Sequence, residues 1–466
     1  MSAPRPALER RLGAADAALL TIGSVVGTGI FLTGGEVARA LPSSAAVLWI
    51  WVAGGLLALA GALTYAELGA MHPRAGGLYV YLAAAYGPVW GFFYGWACLL
   101  VIMSGGIAAI AVGFGEYLGS FVPFFSSDHA AFVVSLGPWR WAPSGAQAAG
   151  ALAILALSAV NHAGLGAGAA TQNALTAVRL VAIAAFVAWG LWAPAPAVPA
   201  AAPGLPHGLA AGIGVAMIAA LWTYDGWYGA TFSAGEMRAP ERTLPIGIIG
   251  GTLAVIALYV AMNAVYLRAL PVAALAHSTR NAEDAARVLF GPAGARLMTL
   301  AVTLASLGCL ASTILYSSRI YQPMAEDGVF FRAIAAIHPR LRVPVRSLWL
   351  QSGWAAVLAL SGGYTQLFTW VTFAGVLFHV AGGAAVFVLR RGAPEAPRPY
   401  RAWGYPYVPA LFTLGMMGLV VTTVWQRPVE SLIGIACVAA GWPAYLGWRR
   451  RARARGETGT RPEAGA

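Results

Sequence analysis

Long apolar runs separated by short polar segments dominate the chain. Twelve such blocks fall at about 16–40, 46–68, 79–118, 146–163, 170–192, 208–235, 245–268, 296–322, 347–361, 365–389, 406–425 and 430–448. A helix needs about 20 apolar residues to cross the hydrocarbon core of a bilayer, so the pattern predicts an all-α membrane protein with twelve spans. A β-barrel would show short alternating segments instead. The breaks carry turn chemistry: His72-Pro73-Arg74-Ala75-Gly76-Gly77, Pro194 to Pro206, and Ala393 to Pro399. The third block is long for one span and the ninth is short. Residues 1–15 and 449–466 read as polar tails.

Composition narrows the class. Of 466 residues, 59% are hydrophobic and 10% charged, whereas a soluble domain carries about a quarter charged residues. That excludes a soluble enzyme, a DNA-binding domain and a disordered chain. The net charge is +12, and all 29 basic residues are Arg. With the N-terminus inside, the cytoplasmic segments hold Arg5, Arg10, Arg11, Arg74, Arg238, Arg242, Arg332, Arg340, Arg342, Arg346, Arg390, Arg391, Arg398, Arg401 and the run from Arg449 to Arg461. The external segments hold fewer: Arg39, Arg140, Arg268, Arg280, Arg287, Arg296 and Arg427. This bias places both termini in the cytoplasm. The start has the look of a cytoplasmic tail, not of a signal peptide. Cys98, Cys309 and Cys437 sit inside apolar blocks with no ligand spacing, and His162 and His379 are lone histidines, so no metal or cofactor is expected.

Two spans differ from the rest. Block 1 contains Gly23-Ser24-Val25-Val26-Gly27-Thr28-Gly29-Ile30-Phe31, and block 6 contains Trp222-Thr223-Tyr224-Asp225-Gly226-Trp227-Tyr228-Gly229. Each Gly weakens a helix by about 1 kcal/mol relative to Ala. Glycine-interrupted spans in matching places of two halves point to an inverted-repeat transporter with its site at mid-membrane. The first repeat then covers 16–192, the second 208–389, and two further helices 406–448. Close helix packing is the competing use of such glycines. Asp225 favours a site, because an ionisable residue inside a span is costly without partners.

At these residues the sequence resembles the amino acid–polyamine–organocation superfamily, most of all its L-type amino acid transporters and their bacterial relatives. The glycine run of block 1 is similar to that family's first-helix signature. Tyr65-Ala66-Glu67-Leu68-Gly69 with Gly76-Gly77-Leu78-Tyr79 is similar to its second-to-third helix loop. Trp222 to Trp227, followed by Gly235-Glu236-Met237, Pro240 and Arg242-Thr243-Leu244-Pro245, resembles the sixth helix and the loop after it. Ser317-Ser318-Arg319, His338-Pro339 and Pro344 resemble the end of helix eight and its loop.

The resemblance implies a five-plus-five inverted-repeat fold with broken helices 1 and 6. It also implies alternating access by a secondary transporter of amino acids, neutral ones first, in a bacterial-type cytoplasmic membrane. Cationic amino acids or polyamines are the alternative; a membrane enzyme or sensor fits less well. Backbone N–H groups of Thr28 and Gly29, with the Thr28 hydroxyl, would hold the substrate carboxylate. Carbonyls of Val25, Trp222 and Asp225 would accept from its ammonium group, Gly27 and Gly29 would keep the wall thin, and Trp222 would close the site. Arg179, inside span 5 where relatives carry Lys, would stand in for a coupling ion against span-1 carbonyls and the hydroxyls of Ser312 or Thr313; a snorkelling Arg is the other reading. Glu67, Glu236 and Arg319 are gate candidates, or simple helix-end pairs. Glu116 is read as a solvated helix end. Leu118 to Gln147 contains no Cys, so no disulfide-linked heavy chain is expected.

The Asp225 side chain has three open roles: satisfying the broken helix, pairing with a cationic substrate, or carrying a proton. Asp225→Asn separates them in a vesicle uptake assay. Neutral amino acid uptake unchanged at every pH would leave the first role alone.

Overall fold

The computed structural model describes residues 8–136, 139–194, 208–362, 364–426 and 428–454. Arg5, most of the Pro194–Pro206 connection, Arg427 and the tail beyond 454 lie outside them, as does the Arg140 side chain. The helices are α1 Ala14–Val25, α2 Gly29–Leu32, α3 Gly34–Ala40, α4 Ser44–Met71, α5 Leu78–Tyr86, α6 Pro88–Ala97 and α7 Met103–Leu118. After a short hairpin, β1 Val134–Leu136 with β2 Trp139–Trp141, come α8 Gly145–His162, α9 Leu165–Trp192 and α10 Leu209–Tyr224. Then follow α11 Pro240–Ala269, α12 Val272–His277, α13 Asn281–Ser317 and α14 Tyr321–Glu326. The last are α15 Val345–Ser361, α16 Tyr364–Gly392, α17 Tyr407–Gln426, α18 Pro428–Ala439 and α19 Gly441–Ala454.

Among the described residues, 9 helical stretches are long and apolar enough to cross a membrane. The blocks at 146–163, 347–361 and 430–448 are helical but fall outside that set, as α8, α15 and the pair α18–α19. Block 3 is two elements. Gly87, at φ 96°, ends α5, and Pro88 starts α6 at the position where a missing N–H costs nothing. The crossing therefore runs from Pro88 to Leu118 through a π turn at Cys98–Ile102. Block 8 begins earlier than its apolar run, because α13 starts at Asn281 and kinks at Gly291-Pro292.

Block 1 is broken as the glycines predict. α1 ends at Val25, Val26 adopts φ −75° and ψ 84°, and Gly27 N donates to Val25 O at 2.8 Å, an inverse γ-turn. Block 6 is broken too: α10 stops at Tyr224, and Gly229–Glu236 continues as a 3₁₀ helix. The two breaks face one another. Ser24 Oγ donates to Gly226 O at 2.8 Å, and Thr33 Oγ1 lies 2.7 Å from Thr223 Oγ1. Tyr259 of α11 spans both, with its hydroxyl 2.9 Å from Val25 O and 3.1 Å from Thr223 O. Helices α11, α13 and α9 pack around α1, and α4 packs against α10 and α11, so the breaks sit at the centre of the bundle.

Gly226 is the tightest point of this contact. Its φ is 103°, and a Cβ there would stand 2.6 Å from Ser24 O. Gly226→Ala is expected to destabilise the protein by at least about 1–2 kcal/mol, read as a lower melting midpoint in detergent; an unchanged midpoint would contradict the close approach.

Candidate functional site

A cavity of about 50 Å³ lies between the two breaks. Ser24, Val25, Gly27, Thr28 and Gly29 form one wall, and Trp222, Thr223, Asp225 and Gly226 form the facing one. Ile102, Met103, Ile110 and Val371 give it apolar sides, and Cys309, Thr313 and Tyr316 come from α13. Of the sequence-predicted binding residues, Val25, Gly27, Thr28, Gly29, Trp222 and Asp225 thus share one chamber.

The backbone of the α1 break is unevenly satisfied. Ser24 O receives the Cys309 thiol at 3.4 Å, Val25 O receives Gly27 N and Tyr259 Oη, and Val26 O receives Arg179 Nη1. The N–H groups of Thr28, Gly29 and Ile30 have no acceptor among the described residues. These are the leading donors of α2, where an anion is favoured. The Thr28 hydroxyl makes no hydrogen bond with the described residues either, although Thr28 is buried. Val25 O takes Gly27 N and shares the single Tyr259 hydroxyl proton with Thr223 O, which leaves it less room for an ammonium group than the sequence suggests. Trp222 O takes Asp225 N at 3.1 Å, while Asp225 O takes no donor among the described residues.

Arg179 is buried, 1% exposed, so it does not snorkel. It donates to Val26 O, to Ala305 O at 3.3 Å and to Thr176 Oγ1 at 2.9 Å. The expected contacts to Ser312 and Thr313 are absent. Those hydroxyls donate one turn back on their own helix, to Gly308 O and Cys309 O, both at 2.9 Å. Ser312 faces Gly23 together with Gln172 and Thr176, and of these Thr176 is the one that meets the guanidinium.

The gate candidates divide. Glu236 and Arg319 form a buried bidentate pair, Nε to Oε2 at 3.1 Å and Nη2 to Oε1 at 3.0 Å. It lies beyond the stacked rings of Phe232 and Tyr316, whose centroids are 5.5 Å apart. Glu67 is elsewhere. It takes Arg390 Nε and Nη2 at 2.8 and 2.7 Å and the Ala402 N–H at 2.6 Å, tying α4 to α16 and the loop after it. Glu116 is partly covered, with Arg280 Nη2 donating to its carbonyl oxygen at 3.1 Å.

In the sequence His379 stands only as a lone histidine and Tyr259 is not singled out; the structure gives both a place at the breaks. His379 Nε2 is 3.7 Å from Asp225 Oδ1, and its Nδ1 is 3.2 Å from Tyr65 Oη. The signal was present: an imidazole inside an apolar span is as much a functional candidate as a carboxylate. Tyr259, which spans both breaks, carried no such signal.

With this geometry in place, comparison with known proteins is decisive. A family model described as amino acid permease matches residues 12–438. The chain belongs to the amino acid permease family. The permease is a multi-pass membrane transporter of amino acids and not an enzyme. It is 30% identical over 455 residues to the serine/threonine exchanger SteT of Bacillus subtilis, covering 95% of this chain and 98% of that one. It is 29% identical over 449 residues to the human b(0,+)-type amino acid transporter 1, covering 94% and 88%. It is 27% identical over 450 residues to the human large neutral amino acids transporter small subunit 2, covering 94% and 80%.

The Glu236–Arg319 pair generates a stability test. Arg319→Ala strands a buried carboxylate in the permease and should cost about 3–5 kcal/mol. Removing both partners, Glu236→Ala with Arg319→Ala, should recover most of that loss in a thermal melt. A double variant as unstable as the single one would show that the two side chains do not balance each other.

Proposed function

We propose that the permease exchanges small neutral amino acids by alternating access at the chamber between α1 and α10. The observation that carries this reading is the run of unpaired donors at Thr28, Gly29 and Ile30 opposite the Asp225 carboxylate. A zwitterion fits that polarity: its carboxylate completes the start of α2, and its ammonium group meets Asp225 O or the Asp225 carboxylate. The apolar sides take the side chain. At about 50 Å³ the chamber suits a small one. Trp222 lines the cavity and closes over the substrate in this reading. Arg179 holds Val26 O with a fixed charge that it cannot release, so the coupling cycle is assigned to exchange and not to a proton on that residue. The exchanger among the relatives supports the same choice.

The remaining organisation follows from this reading. Two broken helices that each open a set of five spans support the inverted repeats 16–192 and 208–389, with 406–448 added. The Arg distribution supports both termini in the cytoplasm and a bacterial-type cytoplasmic membrane. The Cys-free segment Leu118 to Gln147 supports function without a disulfide-linked partner. A second reading, transport of cationic amino acids, is favoured by one observation. The Asp225 side chain remains 35% exposed and has no full counter-charge.

Counterflow into proteoliposomes tests the site. Serine-loaded vesicles are expected to take up labelled serine, and Gly29→Leu, whose side chain would press on Thr223, should reduce uptake to background while the protein still inserts. Normal uptake by a correctly inserted Gly29→Leu variant would refute the carboxylate site.

A further inference from the structure

His379 lies in α16, buried among aromatic rings. Tyr228 is nearest, at a centroid distance of 4.7 Å, followed by Trp227 at 5.7 Å, Tyr65 at 6.1 Å and Phe412 at 6.4 Å. The ring cannot swing away without displacing them. Its two nitrogens face different groups. Tyr65 Oη has no hydrogen-bond partner among the described residues other than His379 Nδ1. With the Tyr65 phenol donating to Nδ1, the ring proton of neutral His379 sits on Nε2. That nitrogen faces Asp225 Oδ1 at 3.7 Å and has no hydrogen-bond partner. The remaining contact of the carboxylate is Tyr228 Oη, 3.4 Å from Oδ2. Asp225 therefore accepts one long hydrogen bond from a phenol, lies within ion-pair distance of the imidazole, and stays open to the chamber.

We infer that His379, held by Tyr65, is the specificity-determining residue of this chamber, an inference that rests on the amino acid transport reading. With its ring neutral, His379 orients the Asp225 carboxylate and leaves its charge for a cationic group on the substrate side chain. With a proton taken from solvent on Nδ1, the imidazolium becomes the counter-ion of Asp225, and the chamber favours neutral side chains.

The groups around the ring support this assignment. Asp225 is the carboxylate within ion-pair distance of it among the described residues. Tyr65 comes from α4, and Tyr228 from the segment after α10. Tyr81 of α5 packs on Tyr65, and Tyr86 of α5 donates to Ala381 O at 2.9 Å. Tyr94 of α6 packs on Phe378, the neighbour of His379 in α16, at a centroid distance of 5.3 Å. Helix α17 presents Phe412. Cys437 of α18 offers its carbonyl to Trp96. Glu116 of α7 is beside Arg280, and Glu67 and Arg390 are committed to each other.

The test is competition for labelled serine uptake into proteoliposomes, with unlabelled arginine or alanine as competitor, at about pH 8 and about pH 5.5. In the wild-type protein arginine should compete at the higher pH, and its half-inhibitory concentration should rise about tenfold or more on acidification. Alanine competition should not change. His379→Gln keeps an uncharged donor and cannot take a proton, so arginine should compete equally at both pH values; His379→Asn should give the same flat profile. Arginine competition independent of pH in the wild type would overturn the inference, and that result needs no variant. So would a wild-type profile in His379→Gln, which would place the titration on Asp225 itself. Absence of serine uptake by the wild type would instead overturn the transport reading, and the inference with it.

Discussion

A backbone that unwinds inside a bilayer must find partners for its peptide groups, since the surrounding hydrocarbon offers none. The site of this permease follows from how that requirement is met. At the α1 break the acceptors are filled from within the protein: a thiol for Ser24 O, a phenol and a neighbouring amide for Val25 O, and a guanidinium for Val26 O. The donors are not filled. Three consecutive N–H groups, on Thr28, Gly29 and Ile30, find no acceptor among the described residues. A ligand that completes this structure must accept hydrogen bonds, and the start of α2 adds a positive partial charge. That combination favours an anionic group at this end of the chamber.

The buried charges sort by the same logic. Glu236 and Arg319 satisfy one another, and Arg319 also holds Leu315 O and Ser318 Oγ. Glu67 receives two Arg390 nitrogens and an amide. Arg179 has no carboxylate, but it grips two carbonyls and a hydroxyl. Asp225 alone among these four sites is weakly held, by a phenol at 3.4 Å and an imidazole at 3.7 Å. Breaking a good buried pair is costly, so the first three suit fixed architecture. A carboxylate with slack in its partners suits a group that must bind and release.

The membrane class and both helix breaks were legible in the sequence because glycine and an intramembrane carboxylate are local signals. Trp222, Asp225, Thr28 and Gly29 were found together for that reason. What stayed hidden depends on contacts between distant parts of the chain. Ser312 and Thr313 looked suited to meet Arg179, yet helical hydroxyls can bond the carbonyl one turn back, and both do. Tyr259 is an ordinary residue of its own helix and gains meaning only through its contacts with both breaks. Glu67, Glu236 and Arg319 looked alike as charged span ends, and only the three-dimensional arrangement separates one latch from another. The long third block misled because Gly87-Pro88 is a boundary of backbone geometry, not of hydrophobicity.

The end of the bundle below Tyr316 shows which parts can move together. Glu236 is bound through its side chain to Arg319 and through its carbonyl oxygen to Arg11 N and Leu12 N, both at 2.9 Å; Arg238 N returns a bond to Leu12 O at 2.9 Å. The N-terminal segment, the 3₁₀ helix after Gly229 and the end of α13 are thus stitched into one unit. Opening the chamber toward this end within that unit would break a buried ion pair and three backbone bonds at once. Opening it at the joint costs less. Asp225 to Tyr228 has little helical bonding to lose, and Gly226 already occupies a φ closed to most residues. Alternating access in this permease is therefore expected to turn on residues 225–228, the segment that also carries the Asp225 carboxylate, so that substrate charge and hinge angle are set in the same four residues.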